Sequence, residues 1–163
     1  MAGYTNCLAV SGYTQALMNE IGQLKWYFAH ASVGVNMMDG VADLRAMSTN
    51  LYQFRGASED EVPPTATLTG MVYEYDRGNP GWQAKVDDFE AYVSNGWRFP
   101  KVNLAVNKFC YIDQTASLNY YLSLMSNLEA AFPETVFVHT TIPLMTCSMC
   151  QTTASPPPAS RGS

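Results

Sequence analysis

The sequence is poor in positive charge and in cysteine, and it contains no long apolar run. Nine Lys and Arg residues stand against 14 Asp and Glu residues, so the formal net charge of -5 argues against a nucleic-acid-binding surface. No apolar run approaches the roughly 20 residues that a membrane-spanning helix requires, and no basic cluster indicates binding to an anionic membrane. Four cysteines in 163 residues are too few for a disulfide-stapled scaffold. We therefore expect neither a nucleic-acid nor a membrane partner.

The chain does have the composition of a folded domain. Hydrophobic residues make up 47% of the sequence and charged residues 14%, which favours a packed core over disorder. The length suits a single domain, which we assign to residues 1–145. Residues 146–163 are rich in Thr, Ser and Pro, and this composition predicts a flexible tail. Residues 1–15 lack the basic start and apolar stretch of a signal peptide, so they indicate no cellular location.

Apolar runs alternate with segments of helical spacing along most of the chain, and this pattern predicts an α/β fold. The predicted strands are 25–30, 66–75, 102–113 and 135–144. The predicted helices are 13–24, 34–47, 82–95 and a segment from Leu118 that stops before Pro133. Residues 48–64 are polar and are predicted to form a loop. Strands that alternate with helices in this way form a mostly parallel sheet with helices on both faces.

Functional side chains in parallel sheets gather where the strands end. The ends of the four predicted strands fall at 30–32, 76–79, 111–113 and 139–141. Ser32 lies at the first of these, between a strand and a helix, where helix amides could stabilise an oxyanion. His-Ala-Ser-Val-Gly is similar to the G-x-S-x-G nucleophile elbow, with His30 in place of the first glycine. The alternative is that Ser32 caps the following helix.

Four blocks of the sequence, taken together over about residues 25–145, resemble a branch of the SGNH/GDSL-type hydrolase superfamily. YFAHASVGVNMMDGVADL contains H-x-S-V-G-x-N, and GNPGWQAKVDDF contains Gly78, Lys85 and Phe89 of a second block. VNKFCYID contains K-F-C-Y-x-D, and FVHTTIPL ends in T-x-P-L. The resemblance implies a flavodoxin-like three-layer α/β/α sandwich with about four to five strands.

The resemblance also implies a serine esterase with Ser32 as nucleophile. Its substrate would be a small-molecule or carbohydrate ester, for example an acetyl group on a carbohydrate, and no cofactor is expected. Gly34, Gly78, Asn79 and His30 are the candidates for oxyanion or substrate contacts, and His30 is also expected to have a structural or orienting role. Asn79 has the alternative role of forming a turn before Pro80.

A general base is the element that the pattern lacks. The superfamily uses a histidine three residues after an aspartate near the C-terminus, whereas this sequence has no histidine and no acidic residue after Leu144. Either the sequence is part of a longer chain or the base lies elsewhere. His139 is the candidate base and Asp113 could orient it. The alternatives are a hydrogen-bonded strand histidine and a capping aspartate.

Two other functions stay open at this point. The chain could be an SGNH-like binding or interaction domain without catalysis. It could also be a metal-dependent enzyme that uses His and Cys ligands, for which Cys147 and Cys150 form a single C-x-x-C. One such pair is weak evidence, so we predict no metal site. Lack of the usual last elements would expose a sheet edge or an apolar helix face, which predicts a homodimer.

Overall fold

The computed structural model describes residues 12–58, 70–95 and 102–143. The helices are α1 (Gln15–Ile21), α2 (Val33–Met47), α3 (Trp82–Asn95) and α4 (Leu118–Ala131). The strands are β1 (Lys25–His30), β2 (Arg55–Ser58), β3 (Met71–Asp76), β4 (Leu104–Asn107) and β5 (Val136–His139), and a 3-10 turn spans Tyr111–Asp113.

The five strands form one sheet in the order β2-β3-β1-β4-β5, and every neighbouring pair is parallel. The predicted α/β class is therefore confirmed. Without the edge strand β2, the other four strands have the order 2-1-3-4 in chain sequence, which is the doubly wound order of flavodoxin-like sheets. The chain leaves β1 toward β3 and returns to β4 on the other side. The crevice at which such sheets bind ligands thus lies at the ends of β1 and β4.

Helices cover both faces of the sheet. Neighbouring residues of β1 point to opposite sides, so Tyr27 packs against Phe89 of α3 while Phe28 packs with Met38 of α2. The α3 and α4 side holds the larger core cluster and the α2 side the smaller one. No helix within the described ranges is both long enough and apolar enough to cross a membrane.

Three local predictions were wrong. The strand predicted over 135–144 is confined to Val136–His139. The polar segment 48–64 contains the strand Arg55–Ser58, which pairs with β3 from Arg55↔Met71 to Ser58↔Glu74. The predicted strand 102–113 ends at Asn107 because the chain turns away from the sheet, and the side chain of Asp113 then accepts a hydrogen bond from the Cys110 amide at 2.7 Å. The predicted tail and the Cys147–Cys150 pair lie outside the described residues.

Candidate active site

Ser32 occupies the single-residue turn between Ala31 and the start of α2, and its backbone is strained. Its φ is 54° and its ψ is -117°, and it is the one non-glycine residue with positive φ in the described part of the chain. Residues with a Cβ atom rarely adopt this conformation, because it costs them about 1–3 kcal/mol. Such backbone strain is concentrated at functional sites. The side chain is exposed. The turn therefore presents the Ser32 hydroxyl at the carboxyl edge of the sheet.

Helix capping does not account for Ser32. Its hydroxyl makes no capping hydrogen bond to α2. Ser117 shows the contrast within this fold: its φ is -75°, and its hydroxyl accepts a hydrogen bond from the Tyr120 amide at 3.3 Å. A serine that only capped α2 would have the relaxed backbone and the bonded hydroxyl of Ser117. The cap alternative for Ser32 is therefore unsupported.

The packing of α2 on His30 holds this turn in place. A Cβ atom added to Gly34 would lie 2.4 Å from His30 Cβ and 2.5 Å from its Cγ, so glycine is required for the helix to approach the strand this closely. His30 is 0% exposed, and its Nε2 lies 3.0 Å from Glu74 Oε2. The structure thus places His30 beneath the turn, and the predicted substrate contact of His30 is wrong because the side chain has no surface available to a substrate.

The N–H groups at the start of α2 differ in whether they are free to donate a hydrogen bond to an oxyanion. The Gly34 N–H, a predicted oxyanion donor, is bonded to the Ala31 carbonyl at 3.1 Å. The N–H groups of Ser32 and Val33 have no carbonyl acceptor within the helix, and they lie at the positive end of the helix dipole. In nucleophile elbows the amide of the residue after the nucleophile serves as a donor, which here is Val33. Sequence reasoning missed Val33, although the elbow pattern contains that signal.

The loop after β3 runs beside the Ser32 turn. His30 is level with Asp76, and the Arg77 amide donates to the His30 carbonyl at 3.1 Å. Gly78 follows with a φ of 67°. Asn79 is exposed at this edge, and its Oδ1 accepts a hydrogen bond from Lys85 Nζ at 2.7 Å. The structure therefore brings Gly78 and Asn79 to the same edge of the sheet as Ser32, as predicted.

The loop after β4 lies on the opposite side of β1. The Lys108 amide donates to the Ala29 carbonyl at 2.9 Å, and its ammonium group lies 3.4 Å from the Ala31 carbonyl, one residue before Ser32. Lys108 was predicted only as part of a sequence block. Its position makes it a basic group next to the candidate nucleophile, and this proximity depends on the pairing of β1 with β4.

A buried ion pair supports the loops that flank Ser32. Lys85 is 0% exposed and Asp113 is 1% exposed, and the ammonium contacts the two carboxylate oxygens at 2.9 and 2.7 Å. Asp113 Oδ2 also accepts the hydrogen bond from the Cys110 amide. Both oxygens of Asp113 are thus engaged away from His139, so the structure does not bring these two residues together as an orienting pair.

Arg77 connects the same loops. One guanidinium nitrogen donates to the Lys85 carbonyl at 3.0 Å, and another donates to the Lys108 carbonyl at 2.8 Å. Since β1 separates β3 from β4, the side chain crosses the end of β1 to reach the Lys108 carbonyl. Burial lowers the pKa of Arg77. Sequence reasoning did not identify this residue.

His139 lies at the end of β5 and points toward α4. Its Nε2 is 3.0 Å from Glu129 Oε1, and its ring packs edge-on against Tyr121. It is level with Asn107 and hence with Ala29, two strand spacings or about 9–10 Å from β1. Neither histidine of the chain has a hydrogen bond to Ser32. His139 lines an apolar groove of about 480 Å³ with Phe109, Leu118, Tyr121 and Ile142 among the other lining residues.

The described residues contain no group of three or more His, Cys, Asp or Glu side chains that could hold a metal ion. Comparison of the chain with protein-family models, with curated proteins and with solved structures gave no match.

Proposed function

We propose that the chain is a serine hydrolase that cleaves a carboxylic ester, with Ser32 as the nucleophile. The observation that carries the proposal is the backbone of Ser32: a non-glycine residue at φ 54° whose hydroxyl is exposed and does not cap the helix. The resemblance of the four blocks to SGNH-type hydrolases supports the same serine. A small ester, such as an acetylated carbohydrate, is the proposed substrate class.

The proposed chemistry is acyl transfer in two steps. The base takes the Ser32 hydroxyl proton as the oxygen attacks the ester carbonyl, and it gives this proton to the alcohol that leaves. Water, deprotonated by the same base, then cleaves the acyl-serine bond, which releases the carboxylic acid and returns the proton to Ser32. The negative charge on the carbonyl oxygen would be stabilised by the amides of Ser32 and Val33 and by the Asn79 side-chain NH₂. These donors follow two neighbouring strands, β1 and β3, and therefore lie at the same edge of the sheet.

Two groups are candidates for the base, and each has a structural argument. His139 has a carboxylate partner, Glu129, that would stabilise its protonated form, but it would have to move toward Ser32. Lys108 Nζ lies 3.4 Å from the carbonyl that precedes Ser32 and also donates to the Phe109 carbonyl at 3.3 Å, so it would have to lose a proton and give up these bonds to act as a base. Serine–lysine pairs are a known variant of the serine hydrolase mechanism. His139→Gln and Lys108→Met test the two groups separately.

The test is hydrolysis of a p-nitrophenyl acetate substrate by the wild type and by Ser32→Ala, with Ser126→Ala as the matched control. Ser126 is an exposed serine on α4 and belongs to none of the strand-end loops that surround Ser32. We expect kcat/KM to fall at least about 10³-fold for Ser32→Ala and to be unchanged for Ser126→Ala. Equal rates for the wild type and Ser32→Ala would contradict the proposal.

A catalytically inactive SGNH-like binding domain is the second candidate function. It is favoured by one observation: both histidines are bonded to carboxylates, His30 to Glu74 and His139 to Glu129, and neither contacts Ser32. In that case the wild type would show no Ser32-dependent hydrolysis yet would bind an acetylated oligosaccharide in isothermal titration calorimetry. Absence of both hydrolysis and binding would contradict both candidates.

A further inference from the structure

We infer that Lys85 and Asp113 are positioning residues that hold the Asn79 amide in the orientation an oxyanion donor needs. The inference rests on the proposed function, because it assigns a task to Asn79 in ester hydrolysis. It starts from the contacts of one ammonium group. Lys85 Nζ lies 2.7 Å from Asn79 Oδ1 and 2.9 and 2.7 Å from the two Asp113 oxygens.

The chemistry of Lys85 determines which way the Asn79 side chain faces. An ammonium group has three N–H donors and no acceptor, so only the amide oxygen of Asn79 can lie against it. The Asn79 NH₂ group must then point away from the buried Lys85, at the exposed edge beside the Ser32 turn. None of the described residues accepts a hydrogen bond from this NH₂ group, so both of its N–H bonds are available to a ligand.

Asp113 makes this arrangement possible. A buried ammonium without a counter-charge would be strongly disfavoured, and Asp113 supplies the charge from the turn after β4. Asp113 is itself held by the Cys110 amide at 2.7 Å. Lys85 comes from α3 and Asn79 from the loop after β3, so one ammonium group ties three separate elements together.

Packing alone does not explain a lysine at this position. Replacing a buried ion pair with apolar side chains of similar volume is often neutral or stabilising, so the pair is poor evidence of a purely stabilising role. All three N–H groups of the Lys85 ammonium donate hydrogen bonds, and one of these bonds goes to the exposed Asn79. A fixed amide dipole beside the reacting carbonyl needs no reorganisation when the oxyanion forms, which is the property that accelerates acyl transfer.

The decisive experiment is a double-mutant cycle of Asn79→Ala and Lys85→Met, with kcat and KM measured for each variant. Loss of one oxyanion donor lowers kcat by about 10²–10³-fold, so we expect that range for Asn79→Ala. Lys85→Met alone should lower kcat at least about tenfold with little change in KM. In the Asn79→Ala background, Lys85→Met should change kcat by less than about threefold. An equal loss of kcat in both backgrounds would overturn the inference, because a purely structural lysine acts independently of Asn79.

A second variant covers the case in which Lys85→Met does not fold with Asp113 left unpaired. Lys85→Met/Asp113→Asn removes both charges, and the carboxamide oxygen introduced by the second substitution can still accept from the Cys110 amide. The circular dichroism spectrum of this variant should be that of a folded protein. Its kcat should be lowered at least about tenfold, the loss expected for Lys85→Met. Full activity in a folded double variant would overturn the inference.

A measurement without turnover separates this inference from the proposed function. In ¹⁵N-relaxation spectra the Asn79 side-chain amide should be rigid in the wild type and mobile in the Lys85 variants, with the exposed Asn119 amide as a mobile reference. An Asn79 amide as mobile as that of Asn119 in the wild type would overturn the inference. If the wild type shows no Ser32-dependent hydrolysis, the proposed function fails, and the relaxation result alone decides whether Lys85 positions Asn79.

Discussion

Ser32 has a backbone conformation that glycine adopts readily and alanine does not, so two substitutions at this position should affect stability differently. Ser32→Ala keeps the Cβ atom and therefore the strain at φ 54°, ψ -117°. Ser32→Gly removes it. The strain is about 1–3 kcal/mol, and the extra freedom of glycine in the unfolded chain offsets about 0.5–1 kcal/mol of the gain. We therefore expect Ser32→Gly to be more stable than Ser32→Ala by about 0.5–2 kcal/mol.

Urea unfolding followed by circular dichroism measures this difference, and the same pair of substitutions at Ser126 is the control. Ser126 lies inside α4, where glycine is less favourable than alanine by about 0.8–1.0 kcal/mol, so the order of the two variants should be reversed there. For a chain of this length, 1 kcal/mol corresponds to about 2–4 °C in Tm. If Ser32→Gly is less stable than Ser32→Ala, as expected at Ser126, the turn is not strained and the main structural argument for a nucleophile is refuted.

Three further predictions concern other parts of the fold. Gly34→Ala forces a Cβ atom to within 2.4 Å of His30 Cβ and should lower the free energy of unfolding by about 1–3 kcal/mol, whereas the open Gly40→Ala should not lower it. Burial raises the pKa of Tyr121 to about 12, whereas this phenol ionises near pH 10 in the unfolded chain. The free energy of unfolding should therefore fall as the pH rises from 10 to 12, and it should fall less in Tyr121→Phe. Val138 and other apolar side chains line an open groove of about 460 Å³ between α2 and β5. We therefore expect the protein to self-associate and Val138→Lys to self-associate more weakly. A monomer by light scattering at high protein concentration would contradict this expectation.

Elements with a regular apolar pattern were predictable from the sequence. The helical spacing of Trp82, Val86, Phe89 and Val93, followed by Asn95 and Gly96, predicted α3, and the structure buries Val86, Phe89 and Val93. The strand β2 was missed because Arg-Gly-Ala-Ser shows no alternation, and it forms through backbone pairing with β3. The third strand was predicted too long because Phe109 and Cys110 continue the apolar run after the backbone has left the sheet.

The candidate site was predictable where it depends on strand ends and was not predictable where it depends on long-range contacts. The positions of Ser32 and Asn79 at neighbouring strand ends follow from the α/β pattern. The bond between Lys85 and Asp113 joins residues 28 apart in sequence, and local spacing carries no signal for it. His30 was expected to orient the site, yet its full burial follows from the close approach of Gly34, which no local pattern indicates.

Covalent labelling would show directly whether Ser32 is a nucleophile in the folded protein. The folded protein would be treated with a fluorophosphonate, and the modified peptide would be located by mass spectrometry in the wild type, in Ser32→Ala and after heat denaturation. We predict one adduct, on Ser32, that is absent from Ser32→Ala and from the denatured protein. No adduct on the folded wild type, or an adduct of equal yield in Ser32→Ala, would contradict the assignment of Ser32 as a nucleophile.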